Sequence, residues 1–336
     1  MLGYLCILTS CKDSIQITEV SSSQNTLVDY PCLSSTNDCT NSFEIKGGTF
    51  NFFSSFHIDS SSQINSAVIT VHGHTRNADE YFDRMISIVS SQGIEEDVLV
   101  VSPHFINLYE QSSTEDWYWN STSWKWGMDS YMSASGHSVS SFELMDSLLS
   151  RLSDKNLFPL ITNVLITGHS SGAAFVHMYS ATKESNTYNH LNLHFSVVNN
   201  QYFLHPDSTR RTENGMLSVI EDCIFYDDWP YGLNALSPYM EIEGKEKAKN
   251  NFLSNKVDYF IGELDIETSG ITLGCQYEFL GDNRYEKNSN YKSYLDAAHP
   301  GNKHFFTTLP NLGHTTNSYN SPIFIQYLES IFQPNL

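Results

Sequence analysis

The sequence predicts an α/β fold, with a mostly parallel central sheet, helices on both faces and a loop or lid excursion. Three observations predict it. Short apolar runs such as 67–71 (Ala-Val-Ile-Thr-Val), 97–101 (Asp-Val-Leu-Val-Val) and 163–167 (Asn-Val-Leu-Ile-Thr) are continuous and rich in β-branched residues, as in strands covered on both faces. Segments with helical spacing alternate with them. The residues with chemical potential fall just after strands, where open α/β sheets place their ligands.

The elements follow in order. Residues 43–56 carry Phe-x-Ile, Gly47-Gly48 and Thr-Phe-Asn-Phe, the pattern of a hairpin. Strand 67–71 is followed by a helix over 77–90, with Tyr81, Met85, Ile88 and Val89 on one face. Strand 97–101 comes next, then a helix over 141–152 with Phe142, Met145, Leu148, Leu149 and Leu152 aligned. Strand 163–167 leads to a helix over 173–181. Strands follow at 193–198, 257–261 and 304–308, and a helix over 322–332 closes the fold. No internal repeat is present.

The chain has 336 residues, 18 Lys and Arg against 38 Asp and Glu, and a net charge of −20. That balance disfavours nucleic acid and anionic membrane surfaces as main partners, because both repel an acidic protein. It suits neutral or cationic ligands, or simply solubility. No run of 18 apolar residues is present, so no helical span is expected. Residues 1–11 read as a signal segment. Their end, Leu8-Thr9-Ser10-Cys11, resembles a bacterial lipoprotein signal whose Cys is lipidated, although a basic start is missing. Cys11 is therefore a candidate lipid anchor. Residues 12–42 read as a polar, Ser-rich extension, and 43–336 as the folded domain. Setting Cys6 and Cys11 aside leaves Cys32, Cys39, Cys223 and Cys275. An even number after a signal segment favours disulfides and an oxidising compartment over four buried thiols. A 32–39 bond would close a small loop and a 223–275 bond would tie two distant loops, among three possible connectivities.

The strongest motif is Gly168-His169-Ser170-Ser171-Gly172, placed between strand 163–167 and helix 173–181. This is G-x-S-x-G in the strand–turn–helix setting that gives it meaning. A sharp turn there holds Ser170 in a strained conformation and lifts its hydroxyl above the sheet edge. Side chains at 168 and 172 would collide with the neighbouring strand and helix. The Ser171 N–H begins the next helix and points toward the nucleophile. At this point the chain resembles the α/β-hydrolase superfamily, and within it secreted serine esterases, lipases and polyester depolymerases.

That resemblance implies further roles. The loop after strand 67–71 reads Val71-His72-Gly73-His74, and the backbone N–H of His74 becomes the second oxyanion donor beside Ser171. Competing readings are an H-x-H metal pair of His72 and His74, which Arg76 disfavours, and a structural role for His72. No cofactor or metal is expected. The base falls after the last strand, at Gly313-His314, with His304 as an alternative at the wrong end of its strand. The acid falls after strand 257–261, at Asp265, ahead of Glu263 and Asp258. The order Ser170, Asp265, His314 is that of this fold.

Four of the five tryptophans, Trp117, Trp119, Trp124 and Trp126, fall within ten residues. With Trp229 they are candidates for a substrate-binding aromatic platform, or equally pins of a large loop to the body. Residues from about 200 to 255 sit where this fold inserts lids. Asn120-Ser121-Thr122 is a glycosylation sequon in a eukaryotic secretory host. Together these imply an exported carboxylic-ester hydrolase acting on a small or polymeric ester. The same three residues would serve a serine peptidase or acyltransferase. From another class, a non-catalytic polymer- or glycan-binding protein on this fold is the rival.

Overall fold

A computed structural model describes residues 30–333 except 60–62, 121, 133–135, 185, 186, 189 and 213. The signal-like segment, Cys11, residues 12–29 of the polar extension and Ser121 of the sequon lie outside the described residues.

The elements run β1 (Thr40–Ile45), β2 (Gly48–Ser54), β3 (Ser66–Val71), α1 (Ala78–Ser91), β4 (Val98–Pro103), α2 (Ser141–Leu152), β5 (Asn163–His169), α3 (Ser171–Tyr179) and β6 (Asn192–Val198). They continue with β7 (Thr209–Arg211), β8 (Leu217–Val219), α4 (Pro238–Glu243), α5 (Lys245–Ser254), β9 (Val257–Gly262), α6 (Cys275–Glu278), α7 (Arg284–Ala298), β10 (His304–Leu309) and α8 (Pro322–Phe332). Eight strands form one sheet in the order β1-β2-β4-β3-β5-β6-β9-β10. The β1–β2 hairpin is antiparallel and β2 also pairs antiparallel with β4; every other pairing is parallel. The sheet is therefore mostly parallel, as the continuous apolar runs predict.

Strand alternation divides the core into two layers. Ala67, Ile69, Leu99, Val101, Val164, Ile166 and Tyr259 face a cluster that includes α2, α3, α5 and α7. Val68, Val98, Val100, Leu165 and Phe260 face the opposite cluster, built from α1 and α8. No pattern predicted α7. Its buried stripe is Arg284, Lys287, Asn288, Tyr291, Tyr294 and Leu295, mostly polar by residue type, so hydrophobic periodicity is silent there. The helix starts on Asn283, whose side chain accepts the Glu286 N–H.

The segment expected as a lid is mixed. β7 and β8 form a small hairpin, whereas α5 buries Ala248 and Phe252 in the main core. The described residues hold two disulfides, Cys32–Cys39 and Cys223–Cys275. Among the described residues, no helix is long and apolar enough to cross a membrane.

Candidate active site

Ser170 sits between β5 and α3 with φ 58° and ψ −112°, a conformation in which a side chain is strained. Its flanking glycines show why the turn needs them. A Cβ on Gly168 would lie 2.2 Å from the Gly172 carbonyl oxygen, and one on Gly172 would lie 2.1 Å from that of Val71. The Ser170 N–H donates to the Val198 carbonyl (3.0 Å), which ties the turn to the end of β6. The strain is held by packing on both neighbouring strands.

His314 lies on the loop after β10. Its Nε2 is 3.0 Å from Ser170 Oγ and its Nδ1 is 2.9 Å from Asp265 Oδ2. A carboxylate only accepts, so Nδ1 carries the proton and Nε2 is left to accept from the hydroxyl. Asp265 is fully buried. Its carbonyl accepts the Tyr285 N–H at 3.1 Å, and the Arg284 guanidinium lies 3.5 Å from its Oδ1. The other candidates lie apart. Glu263 instead accepts the Asn311 N–H, Asp258 pairs with Lys256 inside β9, and buried His304 starts β10.

Asn199, which no motif marked, joins the two loops that carry Asp265 and His314. Its Oδ1 accepts the Gly262 N–H (3.1 Å) at the end of β9, and its Nδ2 donates to the Gly313 carbonyl (3.0 Å) beside His314. The loops approach so closely that a Cβ on Gly262 would lie 2.3 Å from the Leu312 carbonyl oxygen. Arg284 and Asn199 act across sequence distances that short patterns do not reach.

On the oxyanion side, the turn after β3 lies against the elbow. A Cβ on Gly73 would come within 3.9 Å of the His169 carbonyl oxygen. His72 is structural. It is fully buried, its Nδ1 donates to the Gly73 carbonyl and its Nε2 accepts the Phe105 N–H. Both ring nitrogens are thus occupied, and burial pulls its pKa down to about 3, keeping it neutral. Arg76 donates to the carbonyls of Phe105 and Asn120, both at 2.6 Å, and pins the turn to the following loop. Ser171 opens α3, the position from which its N–H can face an oxyanion.

The tryptophan platform is corrected for Trp117 and Trp124, whereas Trp119 lines a cavity beside His74. Trp117, Trp119 and Trp124 are buried at 2%, 0% and 0% exposure. Trp124 stacks on Phe105 with centroids 5.3 Å apart, and the indole N–H groups of Trp117 and Trp119 donate to the carbonyls of Ile45 and Met128. The three rings pin the loop to the core, Trp117 and Trp119 with the indole N–H paired and Trp124 by ring packing, its N–H having no partner among the described residues. Trp126 and Trp229 form a bridge between loop and excursion, through a Trp229 Nε1 bond to the Trp126 carbonyl (2.8 Å). A cavity of about 470 Å³ opens beside His74, lined also by Leu108, Tyr109, Trp119 and Tyr131.

No protein-family model matches the chain, and no curated protein matches it by sequence. Solved structures do. LpqC, a poly(3-hydroxybutyrate) depolymerase from Bordetella parapertussis, superposes with a TM-score of 0.57 at 18% identity, over 86% of this chain and 85% of that one. Poly(aspartic acid) hydrolase-1 from Sphingomonas sp. KT-1 gives 0.55 at 15% identity, over 88% and 98%. The strand order, the elbow and these likenesses define an α/β-hydrolase fold.

Proposed function

We propose that the chain is a serine hydrolase of carboxylic esters that works through an acyl-enzyme on Ser170. One observation carries the reading. A strained, elevated serine hydroxyl, an imidazole and a fully buried carboxylate stand in hydrogen-bonded series. In the first half-reaction, Ser170 Oγ attacks the ester carbonyl carbon while its proton passes to His314 Nε2. The oxyanion accepts from the backbone N–H groups of Ser171 and His74, each worth about 3 kcal/mol at the transition state. Collapse breaks the acyl–oxygen bond, and His314 returns the proton to the departing alcohol. In the second half, His314 takes a proton from water, the hydroxide attacks the acyl carbon, and the carboxylic acid leaves as Ser170 regains its proton. Asp265 stays ionised, holds the ring and offsets the imidazolium charge.

The cavity beside His74 would receive the group flanking the scissile carbonyl. The polyester and polyamide substrates in the names of the two structural neighbours make short esters and oligomers the first compounds to assay. The paired cysteines support work in an oxidising, extracellular or cell-surface setting, with Cys11 as the candidate lipid anchor. The domain reading is a single hydrolase unit from about residue 43, with residues from about 200 forming part of its rim.

Hydrolysis of 4-nitrophenyl esters of graded chain length tests the reading, with a fluorophosphonate probe as a second readout. Ser170→Ala and His314→Ala are each expected to lose ~10³-fold or more in kcat, and Ser170→Ala to lose probe labelling. Asp265→Asn is expected to lose as much, because the amide favours the wrong tautomer. Unlabelled Ser170 in folded wild-type protein, or full activity in any variant, overturns it.

A further inference from the structure

Lys125 lies on the 3-10 turn Ser123–Trp126 that packs on α3. It is 3% exposed. A buried ammonium ordinarily has an anionic or carbonyl partner, because leaving it unpaired is costly. Lys287, the other buried lysine among the described residues, donates to the Tyr277 carbonyl, and half-buried Lys183 bridges Asp146 and Glu243. Among the described residues, Lys125 Nζ makes no hydrogen bond or ion pair. Its Nζ sits over two aromatic faces, 4.3 Å from the Tyr202 ring centre and 4.7 Å from that of Trp126. Ring faces attract the charge but leave N–H donors unmet.

The surroundings belong to the reaction centre. Tyr202 lies three residues beyond Asn199, the clamp between acid and base loops. Lys125 is also close enough to His74 for its charge, after burial, to depress that ring's pKa. Burial alone lowers the Lys125 pKa to about 8, the cost of holding this cation uncompensated. An aromatic clasp around an unpaired cation beside the oxyanion turn is the arrangement that an incoming anion would complete.

We propose that Lys125 is a specificity-determining residue that pairs with a free carboxylate carried by the ester substrate in addition to the ester bond Ser170 attacks. The inference rests on the ester-hydrolase reading. It runs against the bulk charge of −20, which repels anions, so a preference for an anionic ester requires a local cause.

Two matched pairs test it and place the carboxylate on either side of the scissile bond. One sets 4-nitrophenyl hydrogen glutarate against 4-nitrophenyl pentanoate. The other sets 4-(butanoyloxy)benzoate against its methyl ester. In wild type, kcat/KM is expected to be roughly 10-fold higher for the charged member of at least one pair. Lys125→Met keeps the stem over the rings and should bring that ratio to about 1 or below, while Lys125→Arg retains most of it. A wild-type ratio at or below 1 in both pairs, or a ratio unchanged in Lys125→Met, overturns the assignment. If Lys125→Met does not fold, the wild-type ratio and its fall with added salt decide. Calorimetric binding to Ser170→Ala protein separates the two readings. Charge-dependent binding of hydrogen glutarate methyl ester without wild-type turnover of any ester would sink the esterase reading and keep the Lys125 site. Absence of such binding together with absence of turnover sinks both.

Discussion

The imidazole of His169 stacks on that of His314, with ring centres 4.8 Å apart and planes 30° apart. His169 is buried and its Nδ1 meets the Tyr81 hydroxyl at 3.0 Å. Burial, and then the nearness of His314, holds its pKa well below the usual histidine range. The ring therefore stays neutral. In the proposed mechanism it would fix the plane of His314 without competing for the proton that His314 carries. On that reading, the residue between the first glycine and the serine of the elbow would act as a positioning residue.

His169→Ala should free that plane, and kcat is expected to fall about 10-fold to 100-fold with KM little changed. His169→Phe keeps a stacking surface and should recover most of the loss. Steady-state kinetics on one 4-nitrophenyl ester checks this. Equal losses in both variants, tracking their melting temperatures, would show that the contact supports only the fold.

Asn199 makes a second prediction. It is fully buried and adopts φ 54°, a region asparagine tolerates better than most residues. Asn199→Ala strands the Gly262 N–H and the Gly313 carbonyl and adds backbone strain. A cost of about 2–4 kcal/mol is expected in urea unfolding. Because the acid and base loops lose their shared clamp, kcat should fall as well, with the protein still folded at low temperature.

Stability should also depend on pH through histidines remote from the reaction. The Leu204 N–H donates to His177 Nε2, and His177 Nδ1 donates to the Tyr259 hydroxyl. That hydroxyl donates to His304 Nδ1, and His304 Nε2 donates to the Phe252 carbonyl. The two bonds in which a ring nitrogen accepts, from the Leu204 N–H and from the Tyr259 hydroxyl, require neutral rings. Burial holds His177 well below the usual range and His304 at about 4. The unfolded chain takes up protons near pH 6.5, so between about pH 6.5 and 4 it binds more of them than the folded chain. Stability is then complete above the unfolded value and declines as pH falls through that window, by up to about 1.4 kcal/mol per pH unit for each such histidine. Melting temperatures measured from pH 7.5 to 4.5 check the slope; a flat profile contradicts it, and a His304→Gln variant should flatten it in part.

The central strands and the elbow were legible because their signals are local. A buried parallel strand is a continuous apolar run, and a tight strand–helix turn demands small residues at fixed offsets. The helix over Arg284–Ala298 was not legible, since it faces the core with tyrosines, a lysine and an arginine whose polar ends find partners elsewhere in the chain. The tryptophan loop shows a different limit. Composition marks an aromatic loop equally well whether it faces water or Phe105 and Phe175, and only the fold decides. Asn199 and Arg284 carried no signal at all, because their meaning lies in partners 114 and 19 positions away.

The Cys223–Cys275 bond has a consequence for durability. With the backbone between them, the two cysteines close a ring that contains Asp265. Phe225, just inside the ring, is 68% exposed and open to a protease. A single nick there turns the ring into a line without setting either fragment loose. The fragment bearing Asp265 and His314 would stay tethered to the one bearing Ser170 until a reductant severed the remaining link.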